Sequence, residues 1–133
     1  MAKGLGADGR YWEALANGQL ELPRCAQCES WRWPAPFRCG ECGSTRMDWM
    51  TIEPEGKIYT WTRVWHRFGG TETFSLPFIA VLVELPAAGG IRLLGRLDQA
   101  ACEPRIDQPV IGYMVQTEAF GRSIPAWRWK PQP

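Results

Sequence analysis

Four cysteines carry the strongest chemical signal in this chain. Cys25-Ala-Gln-Cys28 is followed after ten residues by Cys39-Gly-Glu-Cys42. Two CxxC pairs at this separation match a four-thiolate metal site. Each CxxC turn brings two sulfurs to one side, and two such knuckles complete a tetrahedron around one ion. Gly43 follows Cys42, where a knuckle often needs a positive φ; Glu29 takes the equivalent place after Cys28 and suits it less. The spacing favours zinc, and four protein ligands leave no open position for water, so the expected role is structural. Two disulfides, a redox CxxC and iron are the competing readings. MAKGLGADGR has no apolar core of a secretion signal, which speaks against disulfides. No βαβ pattern surrounds either pair, which speaks against redox chemistry. A tetrahedral sulfur site accepts iron as well as zinc.

Other chemistry is thin. Cys102 stands alone in a polar connection and is expected to be a bystander thiol. His66, the sole histidine, ends a strand between Trp65 and Arg67 with no partner named by the sequence. The chain has no GxSxG, HExxH, Walker loop or GxGxxG motif, and its carboxylates are not paired in an acid/base pattern. Catalysis by this chain alone is therefore not the expectation.

The composition bounds the rest. The 133 residues suffice for one domain, and 45% hydrophobic with 22% charged residues is globular composition. The formal charge of +1 lacks the basic excess of a dedicated nucleic-acid binder. A zinc ion on four thiolates would bring it to about −1. The longest apolar run, Phe78 to Leu85, falls far short of the ~20 residues of a membrane helix. The chain reads as cytoplasmic.

The elements that must position the cysteines are short. A helix is expected from an Asp8 cap to Asn17-Gly18, with Tyr11, Trp12 and Leu15 on one face. LELPR before Cys25, Ser30 to Trp33, and Arg46 to Met50 read as extended pieces around the cysteines. From Gly56 onward the pattern is strands: Lys57 to Arg67, Phe78 to Leu85, Ile91 to Leu97 after the Gly89-Gly90 hairpin signal, Pro109 to Ala119, and Ile124 to Lys130. The 98–108 stretch is a polar connection with room for one helical turn. Pro125 confines the last strand to an edge or to a start after the proline. Strict alternation would put Ile58, Thr60, Thr62 and Val64 inside a narrow barrel and Tyr59, Trp61, Arg63, Trp65 and Arg67 outside. The expected fold class is mainly β: a short N-terminal helical segment (1–22), a zinc ribbon (23–50), a small closed barrel (51–120), for which a five-stranded OB-fold barrel is one candidate, and an aromatic, basic tail (121–133).

The eight tryptophans spread over all these segments. Trp and Arg are common interface anchors. Tyr11, Trp12, Trp61, Trp65, Trp127 and Trp129 are the candidate partner surface. An outward aromatic and arginine stripe can also stack bases, so a single-stranded nucleic-acid module is the alternative function. A self-sufficient hydrolase would need His66 as its base.

The order of features resembles a family of small acyl-CoA-associated proteins, long called a domain of unknown function. The matching pieces are Tyr11-Trp12, GQLELPRC from Gly18 to Cys25, the two CxxC pairs, Pro34-Ala35-Pro36, Arg38 before Cys39, Gly43, GKIYTWT from Gly56 to Thr62, Pro77, and Ile111-Gly112. They span about residues 10–130. Ala35 and Glu29 depart from the usual Pro and Gly. The resemblance implies an N-terminal helical segment, a rubredoxin-like zinc ribbon and a five-stranded OB-fold barrel. It implies a non-catalytic accessory subunit of a thiolase-superfamily enzyme (thiolase, acyl-CoA synthase or side-chain aldolase) in lipid, steroid or aromatic degradation. The partner would supply the catalytic groups, and coenzyme A thioester would be a ligand shared by the complex. Arg24, Arg32 and Arg38 flank the ribbon and are the candidate contacts for CoA phosphates.

Overall fold

The computed structural model describes residues 6–98 and 103–133. The chain divides into two units. One comprises the described residues up to Glu53 with Pro86–Ile91; the other comprises Pro54–Leu85 and Arg92–Pro133.

The first unit opens with helix α1, Gly9–Ala16. Its Tyr11, Ala14 and Leu15 are buried, as their spacing on one face requires. Asp8 precedes the helix but does not cap it through its side chain. Its carboxylate instead accepts from Trp12 Nε1 at 3.1 Å. At the other end the Gly18 amide donates to the Leu15 carbonyl and the Gln19 amide to the Ala14 carbonyl, a paired closure of the last turn. Strand β1, Leu20–Cys25, pairs antiparallel with β2, Met47–Ile52, from Leu20 opposite Ile52 to Cys25 opposite Met47. The expected piece from Ser30 to Trp33 makes only an isolated bridge, Trp31 to Arg24. Leu20, Leu22 and Cys25 of this small sheet are buried, and Tyr11 packs on Trp33 with ring centroids 4.7 Å apart.

The second unit is a closed barrel of β3 (Glu55–Val64), β4 (Phe78–Leu85), β5 (Ile91–Leu97), β6 (Pro109–Ala119) and β7 (Arg122–Pro131), in the order β3-β4-β5-β7-β6. A 3₁₀ turn, Pro86–Ala88, links β4 to β5. Closure leaves no free sheet edge, which answers the problem of burying a core with five short strands. Pro109 stands at the start of β6, where no ladder donor is needed. The 98–108 connection shows no helical turn among its described residues.

Two expectations are corrected here. Residues 121–133, set apart from the barrel although Ile124 to Lys130 reads as a strand, supply β7, which starts before Pro125, lies between two neighbours, and pairs with β6 from Ala119 opposite Arg122 to Val110 opposite Pro131. Trp127 and Trp129 point inward and are 8% and 0% exposed, so they are barrel core and not partner surface. The second correction concerns β3. Ile58 opposes Val83 and Thr60 opposes Leu82, which leaves Tyr59 as an extra, bulged residue. A bulge shifts side-chain parity by one. Thr60 and Thr62 therefore face out, while Trp61 and Arg63 oppose the buried Val81 and Ile79.

Trp129 fills the barrel because two strands make room for it. A Cβ on Gly95 would stand 2.5 Å from Trp129 Nε1, and one on Gly112 would stand 3.0 Å from its Cζ3. Ile58, Val81, Val83, Leu85, Leu93, Leu97 and Val110 complete the buried set.

Candidate metal centre

The two knuckles are built alike, residue for residue. In the first, the Cys25 amide donates to the Ser30 carbonyl at 2.8 Å and the Glu29 amide to the Cys25 carbonyl at 2.9 Å. In the second, the Cys39 amide donates to the Ser44 carbonyl at 2.8 Å and the Gly43 amide to the Cys39 carbonyl at 2.9 Å. The residue after each second cysteine is left-handed: Glu29 at φ 64° and Gly43 at φ 78°. Glycine adopts that region freely, whereas a side chain strains there. In the first knuckle Glu29 takes that region with its amide hydrogen-bonded to the Cys25 carbonyl and the Ser30 carbonyl hydrogen-bonded to the Cys25 amide on its other side.

The result is one cluster. The four Sγ atoms lie within 4.8 Å of one another. Cys25 Sγ is 3.5 Å from Cys42 Sγ, and Cys28 Sγ is 3.7 Å from Cys39 Sγ. A tetrahedron with metal–sulfur bonds of about 2.3 Å has edges of ~3.8 Å. The donor set and its spacing thus fit one tetrahedral ion. Cys25 and Cys39 are buried, and Cys28 and Cys42 are exposed.

Backbone amides prepare the sulfurs for this. The Cys42 and Glu41 amides aim at Cys39 and outweigh its burial, holding that thiol down at about 5. The Cys28 and Gln27 amides do the same for Cys25, which is also held below its ordinary value. At Cys42 the Ser44 amide favours the thiolate, but burial and the three neighbouring sulfurs overcome it and push the thiol up to about 11. Without a cation, four crowded sulfurs cannot all ionise; a divalent ion removes that conflict.

Arg32 belongs to this centre. Its Nη2 and Nε donate to Ser30 Oγ at 2.8 and 3.2 Å, and Nη2 is 3.5 Å from Glu41. Ser30 Oγ in turn lies 3.0 Å from Cys28 Sγ and 3.7 Å from Cys39 Sγ. Partial burial opposes the Arg32 charge, yet Cys39 and Glu41 hold its pKa above the ordinary value. A cation so placed offsets the net negative charge of a four-thiolate centre and orients the serine that supports two ligands. Both serines were legible in the sequence, because each CxxC runs on as CxxCxS: Cys25–Ser30 and Cys39–Ser44.

The other candidates are dispersed. Arg24 stacks over Trp31 at 6.0 Å, with its Nε buried and without a hydrogen-bond partner. Arg38 is exposed. Tyr11 is 8% exposed and belongs to the packing of its own unit, and Trp12 is half-buried on Asp8. Trp61 is half-buried under the Arg63 guanidinium, 5.4 Å away, and Arg63 pairs with Glu103 at 2.9 Å. Only Trp65 of the six aromatic candidates is widely exposed, at 70%. Sequence reasoning missed its companions: Phe68 and Phe120 are also exposed, and the Phe120 ring lies against the backbone of Gly69 and Gly70. The signal for Phe120 is the Phe120-Gly121 turn between β6 and β7. His66 is exposed, with its ring 4.8 Å from Phe68 and no acidic partner among the described residues. Cys102 lies outside the described residues. Among the described residues no helix is long and apolar enough to cross a membrane.

A paired-knuckle ribbon followed by a closed five-stranded barrel defines a class: a rubredoxin-like zinc ribbon joined to an OB fold. The chain belongs to the ChsH2 family, whose rubredoxin-like zinc ribbon domain matches residues 12–48 and whose C-terminal OB-fold domain matches residues 49–119. The "Probable enoyl-CoA hydratase alpha subunit" of Thermomonospora curvata is 32% identical over 106 residues, covering 78% of this chain. The chain spans about a third (32%) of that relative's length. A solved chain of the Ltp2-ChsH2(DUF35) aldolase superposes with a TM-score of 0.80 at 26% identity, over 98% of each chain. A DUF35-family protein of unknown function from Sulfolobus solfataricus shares the fold, with a TM-score of 0.63 at 16% identity over 98% of this chain and 87% of its own.

Proposed function

We propose that this chain is a non-catalytic accessory subunit of a thiolase-superfamily acyl-CoA enzyme, which it stabilises and whose acyl-CoA site it helps to form. The observation that carries this reading is the superposition, over 98% of both chains, on a chain of the Ltp2-ChsH2(DUF35) aldolase. The relative described as an enoyl-CoA hydratase subunit supports an acyl-CoA setting. The metal in this reading is a structural zinc on Cys25, Cys28, Cys39 and Cys42. Of the three arginines beside the ribbon, Arg32 is engaged at the metal centre, so Arg38 is the one presented for a CoA phosphate. The partner docks on the exposed rings of Trp65, Phe68 and Phe120, which otherwise face water. The nucleic-acid reading loses support, because the bulge at Tyr59 breaks the outward stripe of Tyr59, Trp61, Arg63, Trp65 and Arg67 that would have stacked bases.

Co-expression with a thiolase-superfamily protein tests this. The expected result is a stable hetero-oligomer on size exclusion, lost when Trp65 and Phe120 are both changed to Ser. The isolated chain should show little thiolase or aldolase turnover. A chain that stays monodisperse and never binds such a protein would overturn the reading.

A further inference from the structure

The barrel carries a charge conflict that an anion would resolve. Arg96 on β5 and Arg128 on β7 are direct partners across adjacent parallel strands. Their side chains alternate with the buried Leu97, Trp127 and Trp129, so both project from the outer face. Like charges at directly opposed positions destabilise a sheet. Lys130 is on the same face of β7, two residues on, with Nζ 5.3 Å from the Tyr113 ring centroid.

One carboxylate lies nearby, and it is already engaged. Asp98 accepts from the Tyr113 hydroxyl, 2.7 Å from each carboxylate oxygen, and stands 3.8 Å from Arg128 Nε. That Arg128 Nε is buried and has no hydrogen-bond partner. Among the described residues the Arg96 guanidinium has neither a hydrogen bond nor an ion pair. The four residues after Asp98, Gln-Ala-Ala-Cys, contain no acid that could fill the role. Burial and the neighbouring Arg128 both disfavour the Arg96 charge, against a weaker pull from Asp98. Yet the guanidinium is held in place, 4.1 Å from the Phe74 ring centroid.

We propose that Arg96, Arg128 and Lys130 form a binding site for a phosphate dianion on the outer face of the barrel. Three cations against Asp98 leave a formal excess of two positive charges, which matches a phosphate or phosphate monoester and exceeds what one carboxylate neutralises. Arginine's planar fork suits tetrahedral oxyanions, and a stacked guanidinium loses little freedom on binding. The site does not rest on the accessory-subunit reading, since it is made by this chain alone.

Titration of the full metal-loaded chain with inorganic phosphate, followed by backbone amide NMR at constant ionic strength with chloride as the balancing salt, tests the site. Saturable shifts centred on Arg96, Asp98 and Arg128 are expected. Arg96→Gln should weaken binding at least tenfold, Arg96→Lys less, and Arg122→Gln on the same strand as Arg128 not at all. Retained amide dispersion and metal content would show that the variants fold. A parallel titration with a nucleoside monophosphate separates the sources: tighter binding than inorganic phosphate identifies a phosphate carried by a larger ligand, and equal or weaker binding identifies the free ion. Non-saturable shifts, or equal affinity in Arg96→Gln and the unmodified chain, would overturn the proposal.

Discussion

The indole of Trp129 occupies the space that any side chain at position 95 would need: a Cβ on Gly95 would stand 2.5 Å from its Nε1. The ring is fully buried, and Gly112 yields on its other side. A bulky core residue and two bare positions on neighbouring strands form one packing unit, so each loses its purpose without the others.

Trp129→Ala should therefore lower stability by about 3–5 kcal/mol, the usual effect of emptying a large aromatic site. Gly95→Ala should cost about 1–3 kcal/mol by overpacking. Urea unfolding followed by circular dichroism measures both. A Trp129→Ala change within 0.5 kcal/mol of the parent (about the scatter of neutral surface substitutions) would mean that the ring is not core.

The left-handed Glu29 gives the first knuckle a strain that the second, with Gly43, lacks. Glu29→Gly should stabilise the metal-loaded chain by up to about 1 kcal/mol, and Gly43→Glu should destabilise it by about 1–2 kcal/mol. Thermal melts of the two variants read the difference in sign. A loss of stability in Glu29→Gly would show that the glutamate side chain does more than tolerate its backbone.

Metal and fold are coupled through four sulfurs. Cys39→Ser should lower zinc content and melting temperature together, since the ion ties together two knuckles that no disulfide joins. Arg32→Ala should leave all four ligands in place but weaken zinc retention by about 10–100-fold, the range for loss of an outer-shell partner. Competition with a chromogenic chelator measures the second effect. Full occupancy with unchanged melting in Cys39→Ser would contradict a structural four-thiolate site.

Alkaline pH should act through Tyr11. Burial, and then the Asp8 charge, raise its phenol far above the ordinary value of 10.0. Above that value the unfolded chain loses the phenolic proton while the folded chain keeps it. The folded state then binds more protons, and stability falls as pH rises. Below pH 10 this group contributes no slope. Tyr11→Phe should flatten the decline in urea stability between about pH 10 and 11.5, and an unaltered slope would show that Tyr11 is free to ionise.

Much of this protein was determined by local pattern. The Cys25, Cys28, Cys39 and Cys42 spacing defines a metal site before any fold is known, because a CxxC turn positions its own two sulfurs. The five barrel strands follow from β-branched and aromatic runs bounded by proline and glycine, and Gly43 marks its knuckle. The helix face of Tyr11 and Leu15 follows from helical spacing, which is equally local.

What tertiary structure decided is which way side chains point. One bulged residue, Tyr59, reverses the parity of β3 and turns Trp61 and Arg63 toward the side expected for Thr60 and Thr62. A bulge is defined by pairing with a distant strand, so nothing within Lys57 to Val64 announces it. The same reason hid the fate of the last segment. Read alone, Trp127-Arg128-Trp129-Lys130 is a basic, aromatic strand outside the barrel's expected bounds, with both indoles offered to a partner. Barrel closure places β7 between β5 and β6, burying both indoles and bringing Arg128 beside Arg96. Sequence named the residues, and the closed sheet sorted them into core and surface, because only pairing partners decide which face of a strand meets water.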